Sequence, residues 1–249
     1  MLWIGMMKRI KSLAYPLFWR ACTRYAKSRF PHPYQGYSEN PDPLLASLCD
    51  KYGSDKGSVG NRRRHTYTHV YGLLFQHCRE GIHRVFECGI GTNNLDVPCN
   101  MGAAGVPGAS LRVWRDYFPE ARIFGADIDR NILFQEERIT THQVDQTSPT
   151  SIRNMWQEIG VHDFQLMVDD GLHTVAANMT LFENSHHQLS TSGIYVMEDV
   201  NQRRWSEYQK AFQGSDFSLE FVECIRPSSA SFLPDNSLIV IRKRNRPVA

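Results

Sequence analysis

The segment Val168-Asp169-Asp170-Gly171-Leu172-His173 sets two carboxylates and an imidazole side by side, directly after the apolar run Phe164 to Val168. A second acidic pair, Glu198-Asp199, ends another apolar run in IYVMEDV. Adjacent carboxylates repel, and a divalent cation offsets that repulsion. Several oxygen donors with open positions between them suit magnesium, which keeps some of its waters. An imidazole with an ordinary pKa of about 6.5 can take a proton near neutral pH. Helix capping accounts for one acid at a helix start, but not for paired acids after two separate runs.

More acids follow other apolar runs. RVFECGIGTNN carries Glu87, Gly89 and Gly91, with Asn94 where a dinucleotide fingerprint would place its third glycine. A long Gly-, Pro- and Asn-rich stretch then runs to about Ser110, so a pyrophosphate would have no helix N-terminus beside it. A carboxylate next to a closely approachable backbone suits a cationic ligand instead, such as the aminoacyl and sulfonium end of S-adenosylmethionine. Asp127, in FGADID, can accept both hydroxyls of a ribose, and Asp145-Gln146 suits an adenine edge. Glu87, Gly89, Gly91, Asp127, Asp145 and Gln146 are therefore the expected cofactor contacts. Asp169 joins them on the cofactor side, with a second task of hydrogen-bonding the turn that follows it.

These residues need a frame that brings them to one edge. Strands are expected at Arg84–Glu87, Arg122–Asp127, Ile139–Val144, Phe164–Asp169 and Gly193–Glu198, with helices at Leu111–Phe118, Ser151–Glu158 and Ala176–Leu189. That alternation implies βαβ units and a parallel sheet covered on both faces. Leu219–Cys224 and Leu238–Arg242 read as a closing antiparallel pair. Open sheets of this kind bind ligands beyond the carboxyl ends of their strands, where every acid named above falls. The expected domain is 44–249, preceded by an extension and linker at 1–43.

Composition sets bounds. A net charge of +2 argues for no polyanionic partner, and no aromatic-rich nucleic-acid module is present. Six cysteines without a C-x-x-C pair point to a reduced, cytoplasmic setting. The first thirty residues are basic and aromatic, contain no acid, and carry Pro16. They read either as a helix packed on a protein surface or as an interfacial helix on the inner face of a membrane.

Taken in order, KYGSDKG with HTYTHVY, FECGIGT, SLRVWRDYFPEARIFGADID, VDQTSP, VDDGLH and GIYVMEDV resemble the class I S-adenosylmethionine-dependent methyltransferases. More narrowly, the chain is similar to the metal-dependent macrolide-sugar (mycinamicin-type) O-methyltransferases and the cephalosporin-hydroxylase-like group, from about Leu48 to Val200. The resemblance implies a doubly wound, mostly parallel, Rossmann-like α/β sheet of seven strands with an antiparallel last strand. It implies Mg2+ held by Asp170, Glu198 and Asp199, with His173 as the catalytic base. It implies a cofactor-side contact through Tyr67, and a homo-oligomer completed by the N-terminal extension. Most relatives have serine at the position of Leu172.

The expected activity is methyl transfer to a hydroxyl of a sugar or glycoside, in a surface polysaccharide or a glycosylated natural product. A small non-sugar hydroxyl acceptor is the alternative within enzymes, and a catalytically inactive cofactor-binding scaffold the alternative outside them. Lys51, Asp55 and Lys56 read either as part of a lid over the cofactor or as an ordinary polar turn. His65 and His69 stand four apart without the glutamate of a zinc-protease motif, and Arg62-Arg63-Arg64 reads as a solvated face.

Overall fold

The structure, a computed structural model, describes residues 42–57, 65–224 and 235–244. Almost all of the 1–43 extension lies outside them, as do the Arg62–Arg64 cluster and most of the segment joining the last two strands. The chain runs α1 (Pro43–Tyr52), α2 (Thr68–Phe75), β1 (Arg84–Cys88), α3 (Ala109–Tyr117), β2 (Arg122–Asp127), β3 (Gln135–Glu136) and β4 (Ile139–Gln143). It continues through α4 (Pro149–Ile159), β5 (Phe164–Asp169), α5 (Val175–Ser185), β6 (Leu189–Met197), α6 (Trp205–Ala211), β7 (Phe217–Glu223) and β8 (Ser237–Lys243).

The strands form one sheet in the order β3-β4-β2-β1-β5-β6-β8-β7. β4, β2, β1, β5 and β6 are parallel, and β8 runs antiparallel to both β6 and β7. The doubly wound class and the reversed last strand are as expected, but among the described residues the sheet has eight strands rather than seven. The extra one, β3, is two residues long and folds back on the edge of β4. Arg138 at φ +60 makes the tight return, and Thr141 Oγ1 bonds both backbone groups of Phe134. β6 also starts at Leu189 rather than Gly193. Its first residues include Ser190, Thr191 and Ser192, and its register against β5 shifts between Phe164 and Leu166.

Strands buried on both faces read as continuous apolar runs, which is why β1 and β5 stand out in the sequence. One face packs Phe86, Phe124, Phe164 and Met167 against Trp156 of α4, Leu181 and Phe182 of α5, and Tyr208 of α6. The other carries α3, whose Leu111, Val113 and Trp114 are buried, with α1 packed on it. Helix starts are chemically marked: Ser148 caps α4 ahead of Pro149, and Thr174 caps α5. Among the described residues, no helix is long and apolar enough to cross a membrane.

Candidate active site

The chain folds outward from β1 in both directions, through β2 to β4 on one side and through β5 to β6 on the other. The carboxyl ends of β1 and β5 therefore form the switch point where such sheets bind ligands. A cavity of about 500 Å³ opens there, lined by Gly89, Gly91, Asp127, Asp145, Gln146, Asp170, His173 and Asp199 among others. Close backbone approach explains Gly89: a Cβ there would lie 2.0 Å from the carbonyl oxygen of Asp170.

Register explains how the acids meet. Cys88 pairs with Asp169, and Asp169 with Met197, so Gly89, Asp170 and Glu198 are the next residues along three adjacent strands. Side chains alternate between the faces of a sheet. Glu87, Asp170 and Glu198 consequently share the α3 face, and Asp169 points to the opposite one. Asp199 would alternate away from Asp170, but its φ of +54 turns it into the cavity. His173, at φ +55, is turned in the same way. Left-handed backbone at two non-glycine residues is uncommon and clusters at functional sites.

Asp170, His173 and Asp199 each offer a ligand atom, and these atoms lie within 4.8 Å of one another. His173 Nε2 stands 3.3 Å from Asp170 Oδ1, and His173 Nδ1 3.8 Å from Asp199 Oδ2. Burial would lower the imidazole pKa, but Asp170, the Cys99 thiol and Asp199 outweigh it and raise it to about 12. Burial would raise the carboxyl of Asp170, yet Lys56 and His173 hold it well below the ordinary carboxylate range. Asp199 also accepts a hydrogen bond from the Tyr67 hydroxyl, and His65 Nδ1 lies 3.4 Å from its Oδ1.

Four of the expected site residues lie away from the cavity lining. Glu87 does not line the cavity: its carboxylate accepts from Trp114 Nε1 at 2.7 Å and pairs with Lys56 at 3.1 Å. Asp169 does not line it either, because alternation turns it behind the sheet, where Gln146 Nε2 donates to it at 2.6 Å. Tyr67 is buried against Asp199 rather than the cofactor side. Glu198 stands apart from the Asp170–His173–Asp199 group, bonded by Lys56 Nζ and, at 2.5 Å, by the Tyr71 hydroxyl. The remaining cofactor candidates face the cavity, with prior commitments of their own. Asp127 accepts from the backbone N–H groups of Ile90 and Asp129, and Asp145 from Thr147. Gln146 bridges Asp169 and the N–H of Leu172, so it braces the VDDGLH turn from the cavity wall.

Lys56, Tyr71 and His65 are the members that motif reading missed as parts of the acidic centre. The donor set fits a hard divalent ion: Asp170 and Asp199 present carboxylate oxygens to the cavity, with His173 Nε2 beside Asp170. Glu198 could join them through the lone pairs that its oxygens do not give to Lys56 and Tyr71.

No protein-family model matches the chain. Over 170 residues, 68% of its length, the chain is 36% identical to the 8-demethyl-8-alpha-L-rhamnosyl tetracenomycin-C 2'-O-methyltransferase of Streptomyces olivaceus, a match covering 41% of that protein. It is 32% identical over 173 residues to the demethylmacrocin O-methyltransferase of Streptomyces fradiae, covering 69% of this chain and 39% of that one. The mycinamicin VI 2''-O-methyltransferase of Micromonospora griseorubida matches at 30% over 177 residues, 71% of this chain and 39% of its own length. The chain thus matches about two fifths of these relatives. Among solved structures, the MycE methyltransferase from the mycinamycin pathway, in complex with Mg and SAH, has the same fold at a TM-score of 0.59. That alignment covers 83% of this chain and 58% of MycE, with 22% identity. The likeness to class I methyltransferases, and to macrolide-sugar O-methyltransferases in particular, is borne out by these matches.

Proposed function

We propose that this chain is an S-adenosylmethionine-dependent, divalent-metal-dependent O-methyltransferase whose acceptor is a hydroxyl of a sugar. The observation that carries this reading is the convergence of Asp170, His173 and Asp199 at the switch-point cavity. The curated relatives support it, since those described above act on a sugar of a glycosylated compound or are named O-methyltransferases.

Asp170 and Asp199 would hold the ion, with Glu198 as the third carboxylate. The ion would supply positive charge that lowers the cost of forming an alkoxide. His173, flanking both acids, is placed to take the hydroxyl proton. It carries a proton of its own beside the Asp170 and Asp199 carboxylates, and sharing those carboxylates with a divalent cation would return the imidazole toward its ordinary range. Asp127, Asp145 and the backbone around Gly89 and Gly91 form the cofactor side. Transfer to the acceptor then needs in-line placement and exclusion of water.

The test is transfer of a labelled methyl group from S-adenosylmethionine to a panel of rhamnosylated and other glycosylated acceptors, with small catechols alongside. Transfer to glycosides that stops with EDTA and returns with Mg2+ is the expected result. Transfer confined to catechols would replace the sugar by a small hydroxyl compound. Transfer indifferent to EDTA would remove the metal from the reading.

A further inference from the structure

Three carboxylates on one sheet face, Glu87, Asp170 and Glu198, converge on a single ammonium. Lys56 Nζ lies 3.1 Å from Glu87 and 2.7 Å from Asp170, and is nearer still to Glu198. The Lys56 side chain is only 4% exposed. Its backbone is pinned as well, because its carbonyl accepts from Thr68 N–H at 3.2 Å and its N–H donates to Ser54 Oγ. A buried lysine with three acid partners is not a solvated turn, and with Ser54 and Asp55 it lines the cavity.

The ammonium and the cavity divide the carboxylate oxygens between them. Asp170 gives Oδ2 to Lys56 and turns Oδ1 toward His173; Glu198 gives Oε2 to Lys56 and Oε1 to Tyr71. An ion at Asp170 and Asp199 would sit across the Asp170 carboxylate from a fixed positive charge. Two cations sharing one carboxylate in a partly buried site repel each other, and the repulsion opposes binding of the mobile one. Lys56 has a compensating use. Without it, Glu87 and Glu198 would be buried acids with only neutral donors.

Resting on the metal reading above, we propose that Lys56 is a positioning residue that serves as a built-in cation. It fixes Glu198 and Asp170 and weakens the centre's hold on its divalent ion, so that the ion exchanges rather than locking in place. The inference concerns affinity and not the chemical step, so binding is the readout.

Mn2+ is the probe, its free form followed by electron paramagnetic resonance against wild type, Lys56→Met and Lys56→Arg, with every protein purified in Mn2+ and stripped by a competing chelator. Wild type is expected to bind one Mn2+, Lys56→Met to bind it at least tenfold more tightly, and Lys56→Arg to stay within threefold of wild type. A merely structural lysine would lower affinity on removal, because the carboxylates would lose their positions. Equal or weaker binding by Lys56→Met overturns the inference, as does tightening by Lys56→Arg, which would make size rather than charge the cause. Failure of wild type to bind Mn2+ would overturn the metal reading itself, a result distinct from either. If Lys56→Met unfolds when stripped, competition with chelator from the loaded side still gives its affinity.

Discussion

The two acidic pairs, Asp169-Asp170 and Glu198-Asp199, look alike in sequence and end adjacent strands, yet the fold compensates them differently. In each pair the first acid is 1% exposed and the second reaches the cavity. Burial raises the pKa of both inner acids; the charge of His173 together with the Gln146 amide opposes it at Asp169, and Lys56 opposes it at Glu198. Lys56 stays charged there, because Asp170, Glu198 and Glu87 outweigh the burial that would lower its pKa. Asp169 is bonded by the neutral amide of Gln146 instead, and burial pushes its carboxyl up to about 7. One motif thus yields an acid held directly by an ammonium and an acid held by a neutral amide, because they lie on opposite sheet faces.

The sharpest break in this comparison is between outer and inner acids. Asp170→Asn and Asp199→Asn are each expected to cut methyl transfer by about 10³-fold, the scale of losing a charge-stabilising or proton-transferring group. Asp169→Asn, behind the sheet, is expected to cost less than tenfold. Steady-state transfer with matched circular dichroism spectra checks both, and equal losses for Asp169 and Asp170 would erase the distinction.

Stability should separate the two inner acids by sign. Glu198→Gln removes the nearest partner of a buried ammonium and is expected to destabilise by roughly 3–5 kcal/mol. Asp169→Asn should do the opposite at neutral pH. Its folded pKa of about 7 lies above the ordinary 3.8, so the native state holds the proton more tightly than the unfolded chain does. Stability from this group is full below about pH 4, falls as pH rises through 7, and levels off above. The loss is at most on the order of 4 kcal/mol. Urea unfolding between pH 4 and 8.5 should show that slope in wild type and lose it in Asp169→Asn.

His173 reports on the outer acids. Its raised pKa means that the stability it gains from Asp170 and Asp199 is present below about pH 6.5 and disappears only as pH approaches 12. In EDTA its ring resonances should remain those of imidazolium up to pH 9. In Mg2+ they should titrate several pH units lower. An unchanged titration on adding Mg2+ would mean that no cation shares its carboxylates.

Much of this arrangement was readable and some was not, for physical reasons. β2 and β5 are recovered to the residue because double burial leaves a mostly apolar run with an acid at its end. Asp170 and Asp199 were legible as cavity residues from the fold's switch point, and alternation alone could have turned Asp169 away. Glu198's partner could not be found that way, since Lys56 lies 142 residues from it in the chain. The left-handed backbone that brings Asp199 and His173 inward is equally silent, because neither residue type demands it. β6 begins four residues before the expected Gly193, because Ser190, Thr191 and Ser192 break the apolar run that marks a strand.

Gln146 offers the finest probe of the inner pair. Its Nε2 donates to Asp169 and its Oε1 accepts from Leu172 N–H at 2.8 Å, so it ties the buried acid to the turn that presents Asp170 and His173. Space there is tight: a Cβ on Gly171 would lie 2.1 Å from Gln146 Oε1. Gln146→Ala removes a donor that favours ionised Asp169, and it strands the Leu172 N–H, at a cost of about 1–3 kcal/mol. Asp169 should then titrate above its value of about 7, moving the stability slope to higher pH by less than one unit. The same variant is expected to raise the KM for S-adenosylmethionine a few-fold while kcat changes less, because Gln146 also forms part of the cavity wall. If the slope stays where it is in wild type, the amide is not what keeps Asp169 from titrating higher. Burial among Tyr195 and its neighbours would then set that acid alone.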